Sequence, residues 1–378
     1  MKNNSYPNPE LQVQEDNKPG WNNPLNRRYG FHNLYRQTRY GMGLRAPLVL
    51  KLDPKPDSAI EVIPGVRELL ENPAFSALVV ARETDILFEQ YAEDFTANQP
   101  HSIQSITKLF VHLMLGEACK TGILNPKMKV GDYLPDIGSG YADAVIQDVM
   151  DMNVENSYTE DYDDAYATSY IHEGAIGWRL TTDGGEPPDQ KSFLRSITSE
   201  NLVNTSGYAN YKSANTDVLA WLVEEASGKP VLAWMREIVE ASGIRHMFHC
   251  STDKLGSPIV NGGGCMTALD LARFGLLVRR GGKGVNGKSI SSMAFIRETT
   301  SRKYLTFEPP RHNYGYSNQA FTNGRWIGHS GYGGQFLMVD PEAGVVCVFF
   351  SVLENKSAYD ATYSASIVQC LENICQSV

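Results

Sequence analysis

Strand-like segments lie near both ends of this 378-residue chain, and the long middle contains few of them. Two apolar runs at 75–81 and 85–91 flank a short turn and predict a hairpin. Four further strand-like runs follow only near the other end of the chain, at 312–320, 325–329, 334–340 and 345–353. Because an isolated hairpin is marginally stable, we expect the early hairpin and the late strands to pair. This pairing of the two chain ends in one antiparallel sheet is the strongest constraint on the fold.

The remainder of the chain is predicted to be helical or irregular. Residues 121–300 combine helical periodicity and loops with few strand patterns, and a final helix is expected over 358–374. We therefore predict an α+β fold, an α/β sandwich whose antiparallel sheet is flanked by helices and interrupted by an inserted, mostly α-helical lobe. The predicted units are a mobile N-terminal tail at 1–20, an α/β domain formed by 21–120 and 301–378, and the helical insert at 121–300. A small-molecule site is expected in the cleft between the two lobes.

A serine and a lysine one helical turn apart stand at the head of a long apolar segment. Ser105 precedes Lys108 by three residues, and an almost unbroken apolar stretch follows to Cys119. Residues at this spacing share a helix face, and a serine hydroxyl needs a neighbouring base or cation to become nucleophilic. The pair therefore predicts an activated serine nucleophile. The same spacing recurs at Ser251 and Lys254, but loop-like residues follow there, so no catalysis is predicted from that pair.

Two downstream segments have polar residues where a helix or strand begins. Tyr211 and Ser213 open a segment whose apolar residues follow at helical spacing. His329 and Gly331 belong to a glycine-rich entry into a strand, where backbone can approach a ligand closely. An ordinary β-turn is the alternative interpretation of these glycines.

Together, the order Ser-x-x-Lys, Tyr-x-Ser and His-Ser-Gly resembles that of the penicillin-recognising serine hydrolases. This group contains class C β-lactamases, D-alanyl-D-alanine carboxypeptidases and related esterases. Within it, the sequence is most similar to the 6-aminohexanoate-dimer hydrolases, which cleave short nylon oligomers. The similarity spans residues 20–375 and is strongest at 151–152, 158–162, 177–179, 211–224 and 261–275.

The resemblance implies a β-lactamase/transpeptidase-like fold and an acyl-enzyme mechanism. In that mechanism Ser105 attacks the substrate, and Tyr211 together with Lys108 takes and returns the proton. The backbone N–H groups of Ser105 and Tyr332 are implied to form the oxyanion hole. The residues implied or predicted to bind substrate are Tyr162, Ser213, Asn261, His329 and Gly331.

Several of these substrate-binding predictions need comment. Tyr162 lies in the acidic run 160–164, whose composition alone indicates a solvated loop. In the hydrolases that the sequence resembles, this segment borders the substrate cleft. Asn261 precedes three glycines that lack the Gly-Lys-Ser/Thr ending of a phosphate-binding loop, so no nucleotide is expected. Ser213 replaces the usual asparagine of β-lactamases and His329 replaces their lysine. These departures predict weak activity on β-lactams.

Composition excludes several classes of partner. The net charge of −9 argues against nucleic acid or an anionic membrane, and no run reaches the roughly 20 apolar residues of a membrane helix. The first 25 residues lack the apolar core of an export signal, so a cytoplasmic location is expected. Six dispersed cysteines without metal-ligand spacing predict free thiols, no metal and no cofactor. A homodimer is compatible with the sequence.

Three functions therefore stay open. The favoured one is a serine hydrolase that cleaves amide or ester bonds of small acyclic substrates, most like the hydrolases of linear aminohexanoate oligomers. Short-chain esters are expected as a side activity, because an alkoxide leaves more easily than an amine. The alternatives are a carboxylesterase or D-amino-acid peptidase of the same fold, and a non-catalytic ligand-binding protein. A non-catalytic binding protein would be expected to have lost some of the catalytic residues, whereas Ser105, Lys108 and Tyr211 are all present.

Overall fold

The computed structural model describes residues 18–162, 164, 166–180, 185–311 and 313–378. The strands within these residues are β1 (Gly41–Leu44), β2 (Asp53–Pro54), β3 (Phe75–Arg82), β4 (Asp85–Tyr91), β5 (His101–Ser102), β6 (Phe248–Ser251), β7 (Gly264–Met266), β8 (Leu305–Thr306), β9 (Gly315–Ser317), β10 (Ala320–Thr322), β11 (Ile327–Gly331), β12 (Gln335–Asp340) and β13 (Val345–Ser351).

The α-helices of the same residues are α1 (Lys18–Trp21), α2 (Arg27–His32), α3 (Val66–Leu70), α4 (Lys108–Lys120), α5 (Ile146–Met150), α6 (Thr168–Ala175), α7 (Gln190–Arg195), α8 (Ser213–Ser227), α9 (Val231–Ser242), α10 (Ala268–Arg279), α11 (Met293–Ser301) and α12 (Ala361–Ser377). Short 3₁₀ helices occur at Leu34–Arg36, Ser58–Val62, Gln104–Thr107 and Val130–Asp132.

Within the part of the chain that the structure describes, the main sheet has nine strands in the order β2-β4-β3-β13-β12-β11-β10-β9-β8, antiparallel except for the β2–β4 pair. The predicted hairpin forms β3 and β4, and β3 pairs directly with β13, where Val79 faces Val348. The predicted union of the two chain ends in one antiparallel sheet is thus confirmed. His312 lies outside the described residues, and the single strand predicted over 312–320 is wrong, because two short strands, β9 and β10, stand there.

Helices cover both faces of this sheet. Val79 and Val348 point toward the side of α10, whereas Val80 and Cys347 point toward α12. Because β3 and β13 are buried on both faces, their sequences are largely continuous apolar runs and do not alternate between apolar and polar residues. At Gly275 in α10 an added Cβ would lie 2.5 Å from a methyl of Val346, so glycine permits the helix to pack closely on the strand.

A second sheet of four short strands, β1-β6-β7-β5, was not predicted from the sequence. Its strands are only two to four residues long and two of them lie within the segment predicted as helices and loops. Strand β5 ends two residues before the 3₁₀ helix Gln104–Thr107 and pairs with β7, so this sheet anchors the segment that carries Ser105.

The chain start packs on the body of the protein. Residues 1–17 of the predicted tail lie outside the described residues, but 18–20 begin helix α1, and Lys18 is buried in an ion pair with Glu173. Residues 18–20 of the predicted tail are therefore helical and attached to the body of the protein through Lys18.

All six cysteines are free, and five of them are buried. The sulfur atoms of Cys347 and Cys375 lie 3.9 Å apart. Among the described residues, the chain lacks any helix with the length and apolarity required to cross a bilayer.

Candidate active site

Ser105 lies in the 3₁₀ helix that leads into α4, at a point where the backbone is unusually constrained. Gln104 has φ of 45°, in the left-handed region that non-glycine residues seldom adopt. Hydrogen bonds hold this conformation: the Gln104 amide donates to the Ser102 hydroxyl at 2.7 Å, and Thr107 donates to the Gln104 carbonyl at 2.6 Å. The Gly264 N–H in turn donates to the Thr107 hydroxyl at 3.1 Å. The turn that presents the serine is therefore fixed by the small sheet.

Lys108, the first residue of α4, is completely buried beside Ser105. Its Nζ donates to Ser105 Oγ at 3.0 Å, to Ser213 Oγ at 3.0 Å and to the Asn261 carbonyl oxygen at 2.5 Å. These three acceptors are neutral. Burial lowers the pKa of Lys108 to about 8, although the charges of Glu160 and Asp217 partly oppose that shift. A fraction of Lys108 is therefore neutral near pH 7 and able to accept a proton.

Tyr211 precedes α8 and faces the same lysine. The Lys108 Nζ lies 5.1 Å from the centre of the Tyr211 ring. Burial raises the pKa of Tyr211 well above its usual range and the charge of Glu160 raises it further, while hydrogen bonds to Ser105 and Ser213 oppose the rise. Tyr211 is therefore a neutral phenol in the resting protein, and Lys108 is the group of this pair that can lose its proton near neutral pH.

Glu160 belongs to the candidate site, although the sequence analysis missed it. Its carboxylate accepts hydrogen bonds from the Ser213 N–H at 2.6 Å, the Ser213 hydroxyl at 2.8 Å and the Tyr162 hydroxyl at 2.6 Å. Part of the acidic run is thus a structural element of the site rather than a solvated loop. Asp163 of that run lies outside the described residues.

A second carboxylate, Asp217, stands one turn after Ser213 on α8 and is buried. The Asn261 amide donates to Asp217 Oδ2 at 2.5 Å, and His172 Nε2 lies 2.9 Å from the same oxygen. His172 is stacked on Phe193, with ring centres 4.7 Å apart. Lys108 therefore lies between two carboxylates without contacting either of them. Ser213 bridges Lys108 to Glu160, and Asn261 bridges Lys108 to Asp217.

The end of β11 forms the opposite wall of the site. At Gly331 an added Cβ would lie 2.7 Å from the Ile103 carbonyl oxygen, so a glycine is required where the strand meets the turn that carries Ser105. Tyr332 follows this glycine and, like Ser105, lines the cavities described next. Both residues of the predicted oxyanion hole thus line the same cavities.

Two cavities open on Ser105 from different sides. The larger has a volume of about 400 Å³ and the smaller about 210 Å³. Ser105, Tyr162 and Tyr332 line both cavities, and the two tyrosine rings stand 5.3 Å apart between them. Tyr162 is 44 % exposed, and its hydroxyl donates to Glu160 at 2.6 Å; desolvation and the charge of Glu160 raise its pKa well above the usual value. A substrate bound across Ser105 would therefore extend into both cavities past this tyrosine pair.

The structure brings most of the predicted site residues together. The following line the cavities or contact Lys108: Ser105, Tyr162, Tyr211, Ser213, Asn261, Gly331 and Tyr332. Asn261 contacts Lys108 through its backbone carbonyl, while its side chain is turned toward Asp217.

His329 is the exception. It is fully buried, does not line either cavity and stacks on Phe321 with ring centres 4.1 Å apart. Its Nε2 lies 3.4 Å from the Tyr316 hydroxyl, and burial holds its pKa well below 6.5. The prediction that His329 contacts substrate is therefore wrong for this structure, because the side chain packs behind the wall of the larger cavity.

The second Ser-x-x-Lys pair is not assembled. Ser251 lies in β6 and accepts a hydrogen bond from Trp178 at 3.0 Å, whereas Lys254 donates to the Pro187 carbonyl at 2.7 Å. The two side chains thus have separate partners, as the loop-like residues after Lys254 predict.

Sequence reasoning missed Glu160, Asp217 and His172. A signal existed for Asp217, because a carboxylate among apolar helix residues such as Val218 must have a buried partner. Glu160 gave no comparable signal, since its acidic neighbours favour the interpretation as a solvated loop.

Comparison with known proteins places this geometry in context. The Beta-lactamase family pattern matches residues 66–369. A 6-aminohexanoate-dimer hydrolase of Paenarthrobacter ureafaciens is 29 % identical over 338 residues, 85 % of each protein. Among solved structures, a candidate 6-aminohexanoate-dimer hydrolase from Bacillus anthracis is similar with a TM-score of 0.80 at 17 % identity, covering 98 % of both chains. A D-stereospecific amidohydrolase from Streptomyces sp. is similar with a TM-score of 0.59 at 15 % identity, covering 82 % of this chain and 98 % of its own. These findings confirm the resemblance and the fold class predicted from the sequence.

Proposed function

Because the chain belongs to the Beta-lactamase family and is a hydrolase of that fold, we propose that it cleaves amide or ester bonds of small acyclic substrates through an acyl-enzyme on Ser105. The observation that carries the proposal is the position of Lys108, buried, with a lowered pKa and 3.0 Å from the Ser105 hydroxyl. A lysine in that state is a general base for the serine.

The proposed reaction begins with neutral Lys108 accepting the Ser105 proton as the serine oxygen bonds to the substrate carbonyl carbon. The backbone N–H groups of Ser105 and Tyr332 stabilise the resulting oxyanion. Tyr211 donates its phenolic proton to the leaving amine or alkoxide as that bond breaks, and it is reprotonated from Lys108. Water then attacks the ester carbonyl by the same route, which releases the acid and restores Ser105. The high pKa of Tyr211 suits this role, because the phenol keeps its proton until the leaving group needs it.

The proposed substrates are linear ω-amino-acid oligomers such as those of 6-aminohexanoate, with short-chain esters as a side activity. The Paenarthrobacter relative supports this substrate class by name and by similarity along most of both chains. The two cavities on either side of Ser105 support it independently, since an extended acyclic chain fits two openings that meet at the nucleophile. Poor turnover of β-lactams is proposed as well, because the buried neutral His329 offers no charge to a β-lactam carboxylate. We also propose a cytoplasmic location, which the six free thiols support.

The proposal is tested by active-site labelling combined with a substrate panel. A fluorophosphonate probe is expected to add one label per chain, on the peptide that contains Ser105. Ser105→Ala should abolish labelling, and the matched control Ser251→Ala should leave it unchanged. The panel consists of a p-nitrophenyl ester, the linear aminohexanoate dimer, a D-alanyl peptide and nitrocefin.

Each result of this experiment separates the candidate functions. Hydrolysis of both the ester and the dimer is the expected result. Ester hydrolysis alone would favour a carboxylesterase, and cleavage of the D-alanyl peptide would favour a D-amino-acid peptidase. A protein that neither reacts with the probe nor hydrolyses any member of the panel would be the non-catalytic binder.

A further inference from the structure

Two buried polar side chains that the proposed reaction does not use lie near the carboxylates that flank Lys108. Tyr158 and His172 are only 1 % and 2 % exposed, and neither lines a cavity at Ser105. A polar group in the interior costs stability unless it has hydrogen-bond partners, so its contacts indicate what it does. The contacts of these two side chains lead to Glu160 on one side and to Asp217 on the other.

The His172 ring has a fixed orientation. It stacks on Phe193 with ring centres 4.7 Å apart and planes inclined by 11°. In this orientation His172 Nε2 lies 2.9 Å from Asp217 Oδ2, a close contact that lacks the alignment of a regular hydrogen bond. His172 Nδ1 lies 3.2 Å from the Tyr158 hydroxyl. The two ring nitrogens therefore face two different partners.

The Tyr158 hydroxyl determines which nitrogen of a neutral His172 carries the proton. Burial and the charge of Glu160 raise the pKa of Tyr158 well above its usual value, so the phenol keeps its proton. His172 Nδ1 is nearer to this hydroxyl than Glu160 Oε2, at 3.2 Å against 3.5 Å. When Nδ1 accepts the phenolic hydrogen bond, the imidazole proton stands on Nε2 and faces the Asp217 carboxylate.

Hydrogen bonds between the preceding loop and α6 keep Tyr158 beside His172. The Thr159 N–H donates to the Thr168 hydroxyl at 2.7 Å, and the Thr168 N–H donates to the Thr159 hydroxyl at 3.1 Å. The Ser169 N–H also donates to the Thr159 carbonyl at 3.0 Å. These bonds join the start of α6 to the residue after Tyr158, so the backbone sets the distance between the phenol and the imidazole.

Asp217 has few other groups to orient it. Its Oδ2 accepts from the Asn261 amide at 2.5 Å and faces His172, whereas Oδ1 lacks a hydrogen-bond partner among the described residues. A buried carboxylate with so few donors is weakly held. The Asn261 carbonyl in turn accepts from Lys108 at 2.5 Å. A displaced Asp217 would therefore move the residue that holds the lysine.

We propose that His172 is a positioning residue of the hydrolysis. Its Nε2–H holds the Asp217 carboxylate, and through Asn261 it fixes the position of Lys108 beside the nucleophile. Tyr158 contributes by keeping the proton on Nε2. This inference rests on the proposed function, and it adds a residue that contacts neither the substrate nor the reacting serine.

The test compares kcat of His172 variants for a p-nitrophenyl ester on the alkaline plateau of the pH profile. Lys108 is neutral there in every variant, so a change in its pKa does not enter the comparison. Fluorophosphonate titration gives the concentration of reactive Ser105, and thermal unfolding verifies the fold. His172→Phe keeps the stack on Phe193 but removes both nitrogens. It is expected to lower kcat at least about tenfold with KM within about twofold, because a misplaced base impairs the reaction and leaves binding intact.

Two further variants separate the two ring nitrogens. Glutamine places an amide N–H near the position of Nε2, so His172→Gln should keep kcat within about threefold of wild type. Asparagine reaches only the position of Nδ1, so His172→Asn should be as slow as His172→Phe, and it takes the place of that variant if the phenylalanine protein does not fold. His249→Phe is the matched control and should leave kcat unchanged. The His249 ring also packs on an aromatic ring, that of Tyr35 with centres 4.6 Å apart, but it lies in β6 and outside these contacts.

A double-mutant cycle with Asp217→Ala shows whether His172 acts through Asp217. In that background His172→Phe should lower kcat by no more than about twofold, because the group that it positions is gone. The same loss in both backgrounds, a His172→Phe protein as fast as wild type, or equal losses in His172→Gln and His172→Asn would overturn the role.

Failure of the proposed function would give a different result. A wild-type protein that neither reacts with the fluorophosphonate nor hydrolyses the ester would refute the function and, with it, the role of His172. A wild-type protein that hydrolyses the ester, together with an unimpaired His172→Phe protein, would refute the role of His172 alone.

Discussion

Replacing Asp217 by asparagine is expected to move the pH dependence of hydrolysis to lower pH. Asp217 does not touch Lys108, but it is linked to it through Asn261, and its charge raises the pKa of Lys108 against the effect of burial. In the proposed mechanism only neutral Lys108 can accept the serine proton, so the rate rises with pH through the pKa of this lysine. A lower pKa must therefore shift the rising limb toward acid.

The magnitude follows from the pKa of about 8. At pH 7 about one Lys108 in eleven is then neutral, by the ordinary titration relation. Loss of a neighbouring carboxylate charge changes a pKa by about one pH unit, which would make about half of the lysines neutral. We therefore expect kcat/KM for a p-nitrophenyl ester to rise about fivefold at pH 7 in Asp217→Asn. The plateau at high pH should fall modestly, because a less basic amine is a weaker general base.

The assay is the pH profile of kcat/KM for one ester, measured with wild type, Asp217→Asn and Glu225→Gln. Glu225 lies on the same helix but on its exposed side, so its variant controls for a general change in charge on α8. A rising limb that stays in place in Asp217→Asn, or that moves toward higher pH, would refute the assignment of Lys108 as the base that Asp217 tunes. Loss of activity at every pH would instead mean that Asp217 mainly holds Asn261 and Lys108 in position.

Three further predictions concern groups around the nucleophile. Tyr211→Phe should lower kcat by roughly 10²–10⁴-fold with the fold intact by circular dichroism, since it removes a general acid–base; more than about half of the activity remaining would assign proton transfer to Lys108 alone. Tyr162→Phe should lower kcat/KM for an amide by more than about tenfold, a loss of roughly 1.4 kcal/mol, and for an ester by no more than about twofold. The Tyr162 oxygen, whose own proton is donated to Glu160, can accept a hydrogen bond from the scissile N–H, which an ester lacks, and so orient the leaving nitrogen toward Tyr211. Equal losses measured on one preparation would reduce Tyr162 to a shaping role. Gly331→Ala should lower kcat by roughly 10²-fold with little change in KM, because its Cβ would press on the Ile103 carbonyl and displace the oxyanion donor; steady-state kinetics with unaltered values would show that β11 can adjust.

The long elements of the fold are predictable from the sequence, and the short ones are not. Strands β3, β4, β12 and β13 are six to eight residues long and each contains at least three consecutive buried apolar residues, so their patterns are evident. The small sheet consists of strands with two to four residues, too few for any periodicity. Its β1–β6 and β5–β7 pairs join residues far apart in the chain, and pairing of this kind leaves no local signal.

The candidate site divides in the same way. Ser105 and Lys108 are predictable because a single helical turn fixes their relation. His329 is not, because a strand places alternate side chains on opposite faces, and the motif does not tell which face lines the cavity. Glu160 becomes part of the site only through its contacts with Ser213 and Tyr162, which depend on how a loop folds back on α8.

The pairing of the two chain ends has a consequence for synthesis of the protein. The nucleophile and its lysine leave the ribosome early, but β3, the long strand that precedes them, has its partner β13 at Val345–Ser351, and the proposed oxyanion donor follows Gly331. Domains fold as units during synthesis, so a nascent chain that carries Ser105 still lacks the wall opposite it. Hydrolytic activity should therefore begin only when nearly the whole chain has emerged. Ribosome-bound chains stalled before residue 331 should fail to react with a serine-directed probe, although they contain the complete Ser-x-x-Lys segment.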